Sequence, residues 1–406
     1  MVARDVLDPV MICGAARTPL GAFQGELSGV PATELGSVAI DAAIRDAGVD
    51  KARVDEVLMG NVLPAGLGQA PARQAALGAG LPVSVPCTTI SKVCGSGMKA
   101  VMQAHDAISA GTVDVAVAGG MESMTGAPYL LPAGRAGARI GHTKMLDHMM
   151  LDGLEDAFKT APDGSRRSMG TFGEDCAEKY QFTRDDQDAY AIESVTRAKQ
   201  ATDQGRFDWE IAPVTVKVRK GEKVVDSDEG PRKIDLDRIP ALRPVFRKDG
   251  TITAASSSSI NDGAAAMVLA RASAAAALAL TPIARIVGHA AFAGEPGWFT
   301  TAPVFAKRAL LEGVGWDLDS VDLFEINEAF ACVPMASMRE MGMEHERLNV
   351  HGGAVALGHP IGASGARIIV TLLGAMKARR ARRGVASICI GGGEATAIAI
   401  ESEFHS

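Results

Sequence analysis

The feature that most constrains this chain is a repeat. Residues 42–62, "AAIRDAGVDKARVDEVLMGNV", read as helix, Gly48, a short loop, Val54-Asp55, a strand and Asn61. Residues 308–330, "RALLEGVGWDLDSVDLFEINEAF", read as helix, Gly315, a short loop, Val321-Asp322, a strand and Asn327. The glycine and the aspartate are seven residues apart in both. A second echo follows. "CGSGMKAVMQAHDAISAGTVDVAVAGG" gives a Gly-rich turn, a helix, a strand and paired glycines, and "GASGARIIVTLLGAMKARRARRGVASICIGGG" has the same order. Asn61 stands 33 residues before Cys94, and Asn327 stands 32 before His359. Fixed-period similarity of this kind marks duplicated architecture.

Helices alternating with short Val/Ile/Ala strands indicate an α/β fold with a buried, largely parallel sheet. Two such halves imply a pseudo-twofold, which sets equivalent corners at the shared interface and brings Cys94 and His359 together. The alternative is that any two βαβ segments look alike. Between the halves, residues 125–259 are richer in Pro, Gly and charge, with a polar helix in "TRDDQDAYAIESVTRAKQATDQGRF". Long irregular segments in compact proteins are usually functional or disordered, so this stretch reads as an insertion over an active face. "SSSSINDGAAAMVLARASAAAA" then returns to loop, strand and Ala-rich helix.

Several classes are excluded. A net charge of −7 argues against a general nucleic-acid binder. The six cysteines (13, 87, 94, 176, 332, 389) show neither CxxC nor zinc spacing, and His142 and His148 lack ligand spacing, so no metal site and no disulfide scaffold is expected. A reducing, cytoplasmic setting is expected, and an organellar form with its presequence removed would read the same. The first residues carry Asp5 and Asp8 and no signal-peptide core. No run approaches the ~18 apolar residues of a membrane span. "KARRARR" (377–383) reads as a solvated helix end.

Cys94 lies between a β-like run and two glycines in "TTISKVCGSGMKAV". A helix starting near Gly97 aims its positive end at the thiol, which favours thiolate. Gly95 and Gly97 permit backbone geometries that other residues resist. The other reading is a small buried apolar Cys. His359, on the Gly/Pro loop "HGGAVALGHPIGASGAR", is placed to accept a thiol proton or donate to a carbonyl oxygen, or else is a loop His bonded to backbone. Cys389 ends the strand "VASICI" before three glycines, where open α/β sheets bind ligands. It reads as an acid or base, or as core packing. Asn327 is polar among apolar neighbours and suited to holding a water or a carbonyl; Glu328 beside it reads equally as a helix N-terminal charge.

The chain resembles the thiolases, close to the acetyl-CoA acetyltransferase type, in "VCGSGMKAV", "NEAFA", "GGAVALGHPIGASGAR", "CIGGG", "TITAASSSSINDGAAA" and "VMICGAARTPLGAFQGEL", in the family's order from about residue 10 to 400. The resemblance implies two duplicated βαβαβαββ halves in five layers, α-β-α-β-α. It places the N-terminal half at 1–124 plus 260–281, the inserted loop domain at 125–259 and the C-terminal half at 282–406. It further implies that Cys94 carries the acyl group, that His359 helps generate its thiolate, and that Cys389 moves the α-carbon proton. His359 and a water held by Asn327 would form one oxyanion hole; the amides of Cys94 and Gly391 would form the other. Arg232, Ser258, Met169 and Phe330 would bind coenzyme A, Ser258 near the pantetheine arm. No cofactor is implied, since CoA thioesters are the substrates. The implied reaction is reversible condensation of two acetyl-CoA, or thiolysis of short-chain 3-oxoacyl-CoA, by a homodimer or homotetramer with no nucleic-acid or membrane partner.

Departures from the family pattern bear on substrate recognition: that at Ser168, facing the pantetheine pocket, on acyl-chain preference, and that at Arg238 on the adenine contact. Ser168-Met169-Gly170 stands where biosynthetic relatives often have His-Met-Gly, Arg238 replaces a small polar residue, and Glu394-Ala395 stands where many have Met-Gly. A broad-range degradative 3-ketoacyl-CoA thiolase is the alternative. A ketoacyl synthase acting on acyl-carrier protein would use two histidines where this chain has Cys389 and Asn327. A non-catalytic CoA binder would not need Cys94, His359 and Cys389 together.

Overall fold

The computed structural model describes residues 8–160 and 164–404. Residues 1–7, on which the signal-peptide expectation bears, lie outside the described residues, as do 161–163 and 405–406.

Nine strands form the frame: β1 Val10–Arg17, β2 Glu56–Gly60, β3 Cys87–Ile90, β4 Val115–Ser123, β5 Asn261–Arg271, β6 Ala284–Ala293, β7 Leu323–Ile326, β8 Arg383–Ile390 and β9 Glu394–Ser402. The main helices are α1 Ala32–Ala47, α2 Pro71–Gly78, α3 Ser96–Ala110, α4 Met169–Tyr180, α5 Arg184–Asp203, α6 Ala302–Val314, α7 Cys332–Met341 and α8 Ser364–Arg379. The strands run β7-β8-β9-β6-β1-β5-β4-β2-β3, with the two-residue strand Gly21–Ala22 added against β5.

The repeat is real in space. Both α1 and α6 end on a left-handed glycine, Gly48 and Gly315, each at φ 68°. A 3₁₀ turn follows each, Lys51–Arg53 and Leu318–Ser320, and leads into β2 and β7. The halves meet where β1 pairs antiparallel with β6, Met11 opposite Arg285 and Ile12 opposite Ala284.

One expectation is corrected: the sheet is mixed, not largely parallel. Only β2/β3, β2/β4 and β7/β8 run parallel. β4/β5, β5/β1, β1/β6, β6/β9 and β9/β8 are antiparallel. The reason lies in the connections. β8 returns into β9 through Gly391–Gly393, with Gly392 at φ 93° and Gly393 at φ 86°, and a hairpin of that length forces antiparallel pairing.

Alternation along the strands builds the layers. Ile388, Ile398 and Ile400 face one way, onto α3 and α8, with Val10, Ile12, Ala116 and Ala118 from the other half. Val385, Cys389, Ala395 and Ala397 face the other way, toward α6 and α7. Met11, Val57, Met59 and Val117 face α1 and α2. The order is therefore helices, sheet, central α3/α8, sheet, helices. In the 125–259 segment, α5 opens with a capping box, Thr183 with Asp186. The segment is tied to the frame by fully buried Arg17 at the end of β1, whose guanidinium donates to Glu210 at 2.5 Å and to Asp228 at 2.7 and 2.8 Å. Among the described residues no helix is long and apolar enough to cross a membrane.

Candidate active site

The Cys94 turn runs from the end of β3 into α3. The residue in the left-handed region is Val93, at φ 45°, and not a glycine; Gly95 has φ −83°. This corrects the expected reason for the glycines. A β-branched residue at positive φ is an outlier held by its surroundings. Here Ser96 Oγ donates to the Val93 carbonyl at 2.6 Å and accepts from the Lys92 amide at 2.8 Å. The glycines serve close approach instead. A Cβ on Gly95 would lie 2.3 Å from Ile390 Cδ1, and one on Gly97 would lie 2.8 Å from the Ala366 amide nitrogen and 3.1 Å from the Gly362 oxygen. The loop after His359 thus rests on the turn that carries Cys94, and Ile361 and Cys94 belong to one apolar cluster.

Two amides point at the thiol. The amides of Cys94 itself and of Gly391, one from each half, lie near Sγ. They favour thiolate, but burial outweighs them and Glu122 opposes it, so the Cys94 pKa is pushed up to about 11. The expected lowering by the helix end is therefore not the net result in the free protein. The helix effect is worth under ~2 kcal/mol, less than removing a charge from water.

His359 is buried, and burial pushes its pKa down to about 3, with Arg367 acting in the same direction. Its amide donates to the Ser259 carbonyl at 3.3 Å and to Asn261 Oδ1 at 3.1 Å. Nδ1 meets Ser364 Oγ at 2.6 Å, and that hydroxyl lies 2.9 Å from the Pro360 carbonyl. If the hydroxyl donates to Pro360, it accepts from Nδ1–H and leaves Nε2 as the basic nitrogen. Nε2 has no hydrogen-bond partner among the described residues. Neutral imidazole with a free acceptor suits proton uptake.

Cys389 is 1% exposed near the end of β8. Its pKa is raised well above the usual thiol value, first by burial and then by the neighbouring Cys94 charge, with Lys307 opposing. The two thiols are therefore electrostatic neighbours across the interface of the halves. Asn327, just past β7, is fully buried, and neither its Nδ2 nor its Oδ1 has a partner among the described residues. An amide left this way in an interior is costly unless a water or ligand completes it.

Met169 opens α4, with its sulfur 3.6 Å from where a Cβ on Gly391 would sit. Phe330 is buried and meets Phe246 edge-on at 5.8 Å. Gly170 lies under the Phe246 ring, whose atoms are 2.3 Å from where a Cβ on Gly170 would sit. Ser258 is partly buried, and its amide and hydroxyl both donate to the Ala329 carbonyl, at 3.0 and 3.1 Å. A cavity of about 420 Å³ opens beside this loop, lined by Ser259, Lys233, Arg238, Leu242 and Val355 among others. Arg232 is not in its lining. Its guanidinium is exposed and turned to Glu26 Oε2 at 2.8 Å and to the Asp228 carbonyl at 3.1 Å. The cations at the cavity are Lys233 and Arg238.

Sequence reasoning missed Val93, Ser364, Asn261 and the ion pair of Lys92 with Glu394, which joins the Cys94 turn to the Cys389 hairpin. Ser364 had a signal: it sits five residues after His359, at the start of a helix, within reach of the ring. Val93 had none, because nothing about a valine advertises a positive φ.

Residues 10–273 match the family model described as "Thiolase, N-terminal domain", and residues 280–402 match "Thiolase, C-terminal domain". The chain is 51% identical over 405 residues to Acetyl-CoA acetyltransferase 1 of Arabidopsis thaliana, covering 98% of this chain and 96% of that one. It is 48% identical to Acetyl-CoA acetyltransferase of Pseudomonas aeruginosa, covering 97% and 99%. Among solved structures, the Bacillus anthracis acetyl-CoA acetyltransferase superposes with a TM-score of 0.93 at 40% identity, covering 97% and 99%. The Acat5 thiolase from Ascaris suum in complex with coenzyme A gives 0.90 at 42%, covering 97% and 100%. With both family models matched in chain order, near-full-length relatives at about half identity and a common architecture, the chain belongs to the thiolase family.

Proposed function

We propose that the chain is an acetyl-CoA C-acetyltransferase, condensing two acetyl-CoA to acetoacetyl-CoA and CoA and running in reverse as thiolysis of short-chain 3-oxoacyl-CoA. The observation that carries this reading is the convergence of two amides, Cys94 and Gly391, on the Cys94 sulfur, with the free Nε2 of His359 in the loop packed against that turn. In the first step Cys94 Sγ attacks the thioester carbonyl, and its proton passes to His359 Nε2. The new C–S bond forms, the bond to CoA breaks, and the CoA thiolate takes the proton. The two amides then hold the acyl-enzyme oxygen. In the second step Cys389, having passed its own proton to His359 Nε2, removes the α-proton of another acetyl-CoA as thiolate. His359 and a water on Asn327 hold the enolate oxygen. The carbanion attacks the acyl carbon, and Cys94 departs as thiolate and recovers a proton from His359, which restores the resting state. Preorganised donors at such oxygens are worth about 3 kcal/mol each.

The free protein rests as neutral thiol and neutral imidazole, so the thiolate arises with substrate and not before it. CoA is proposed to lie along the Ser258 loop, with Met169 and Phe330 against the acyl and pantetheine end and Lys233 and Arg238 near its phosphates. The similar thiolase from Ascaris suum was solved in complex with coenzyme A, which favours this ligand class. Division into halves at 1–124 plus 260–281 and 282–406, with 125–259 inserted, belongs to the same reading. So does a homodimer or homotetramer: β3 ends the sheet and offers an open edge, the usual template for strand pairing. A cytoplasmic setting accords with six free cysteines. Rates with acetoacetyl-CoA against longer 3-oxoacyl-CoAs, each with CoA, test the assignment. A clear preference for acetoacetyl-CoA is expected; equal or faster turnover of long chains would replace it with the broad-range alternative.

A further inference from the structure

The sheet register defines a twin of the candidate site in the other half. In the parallel pair β7/β8, Ile326 lies opposite Ser387; in β2/β4, Gly60 lies opposite Gly120. One residue past the first strand are Asn327 and Asn61. Two residues past the partner position are Cys389 and Glu122. The N-terminal half therefore places Asn61 and Glu122 where the C-terminal half places Asn327 and Cys389. The two pairs are treated differently. Asn327 and Cys389 are left open, whereas Glu122 is saturated.

Glu122 is fully buried. Oε1 accepts from Asn61 Nδ2 at 2.7 Å and from the Leu63 amide at 3.2 Å. Oε2 accepts from the Val62 amide at 3.0 Å and from the Gly362 amide at 2.9 Å. The last bond crosses between the halves, and Gly362 lies between His359 and its partner Ser364. Glycines make room for it: a Cβ on Gly120 would be 2.1 Å from the Gly362 oxygen, and one on Gly362 would be 2.6 Å from Glu122 Oε2. Burial pushes the Glu122 pKa up to about 7, against the Leu63, Val62 and Gly362 amides that favour its carboxylate form.

We infer that Glu122 is a positioning residue: through the Gly362 amide it fixes the His359 loop against the Cys94 turn, the counterpart in this half of a position that does chemistry in the other. The inference rests on the proposed reading that His359 activates Cys94. Its sign separates it from a plain charge effect. The Glu122 carboxylate opposes a thiolate at Cys94. If charge were its whole role, removing it would make Cys94 more reactive. If it positions His359, removing it makes Cys94 less reactive. Glu122→Gln keeps the size but turns an NH₂ toward two N–H donors. Glu122→Asp keeps the charge and withdraws it by one methylene.

The test is acyl-enzyme formation from acetyl-CoA in a rapid-quench burst, followed by intact mass, on wild type, Glu122→Gln, Glu122→Asp and His359→Gln. Both Glu122 variants are expected to slow the burst about 10-fold or more, within the ~100-fold that a 1 Å misplacement can cost. KM for acetyl-CoA should stay near wild type. A burst in Glu122→Gln as fast as wild type or faster overturns the inference. Should that variant fail to fold, a wild-type burst in Glu122→Asp overturns it equally. A normal burst in His359→Gln instead defeats the underlying reading of His359, whatever Glu122 does.

Discussion

At the residue scale, the free protein holds its reactive groups in their uncharged forms. Cys94 sits near pKa 11 because burial outweighs two amide donors, and His359 sits near 3 because burial and Arg367 both resist a second proton. Alkylation of Cys94 by iodoacetamide in the absence of substrate should therefore climb steadily with pH from 7 upward, as thiolate fraction grows toward that high pKa. A rate already flat at neutral pH would mean a resting thiolate–imidazolium pair. Cys389 has a different proposed task. Cys389→Ala is expected to keep acyl-enzyme formation and lose condensation by a factor within the ~10²–10⁴ typical of a general base. Condensation at the normal rate in that variant removes Cys389 from the base role. These residues could be named from their motifs, but their ionisation could not. Burial at Cys94 depends on Ile361 and Met149 arriving from distant segments.

At the element scale, α3 and α8 cross where each begins, and each beginning follows a proposed catalytic residue. Gly97 and Gly365 make the contact: added Cβ atoms would lie 2.8 Å from the Ala366 nitrogen and 2.4 Å from the Met98 nitrogen. Both obstacles are backbone and cannot turn aside. Gly95 differs, because its obstacle is the tip of Ile390. Gly97→Ala and Gly365→Ala should each lower stability by about 1–3 kcal/mol or more, as overpacking does. Gly95→Ala should cost less, and thermal melts of the three variants rank them. An equal Tm for Gly97→Ala and wild type would show the helices free to part. The glycines were legible as unusual, yet their purpose was not. A sequence marks where a Cβ is missing and is silent on what occupies the space. The real strain sits on Val93, held by Ser96. In the same way the repeat announced the helices and the parallel strands, whereas the antiparallel returns β5 and β9 carry no periodic signal that separates them from parallel ones.

At the scale of the whole molecule, the proposed site draws on both halves and on the segment between them. Asn327, His359 and Cys389 come from one half and Cys94 from the other. The cavity is lined by Ala22 from the first, Val355 from the second, and Lys233 and Arg238 from the middle. This assembly decides which cation matters. Arg238→Ala should raise KM for CoA thioesters about 10-fold, as loss of a charged contact near 1.5 kcal/mol implies. Arg232→Ala should leave KM unchanged, since that side chain is spent on Glu26 at the surface. The reverse ranking would return the nucleotide to Arg232. From sequence, the family resemblance marks Arg232 for the nucleotide and Arg238 as a departure; it is silent on the short helix Glu229–Lys233, on which the Arg232 guanidinium turns to Glu26. The central claim is covalent, and intact mass tests it most directly. Wild type incubated with acetyl-CoA should gain a single acetyl group that CoA removes, and Cys94→Ala should gain none. An unmodified wild type, or a Cys94→Ala protein that acetylates and turns over like wild type, would contradict the account.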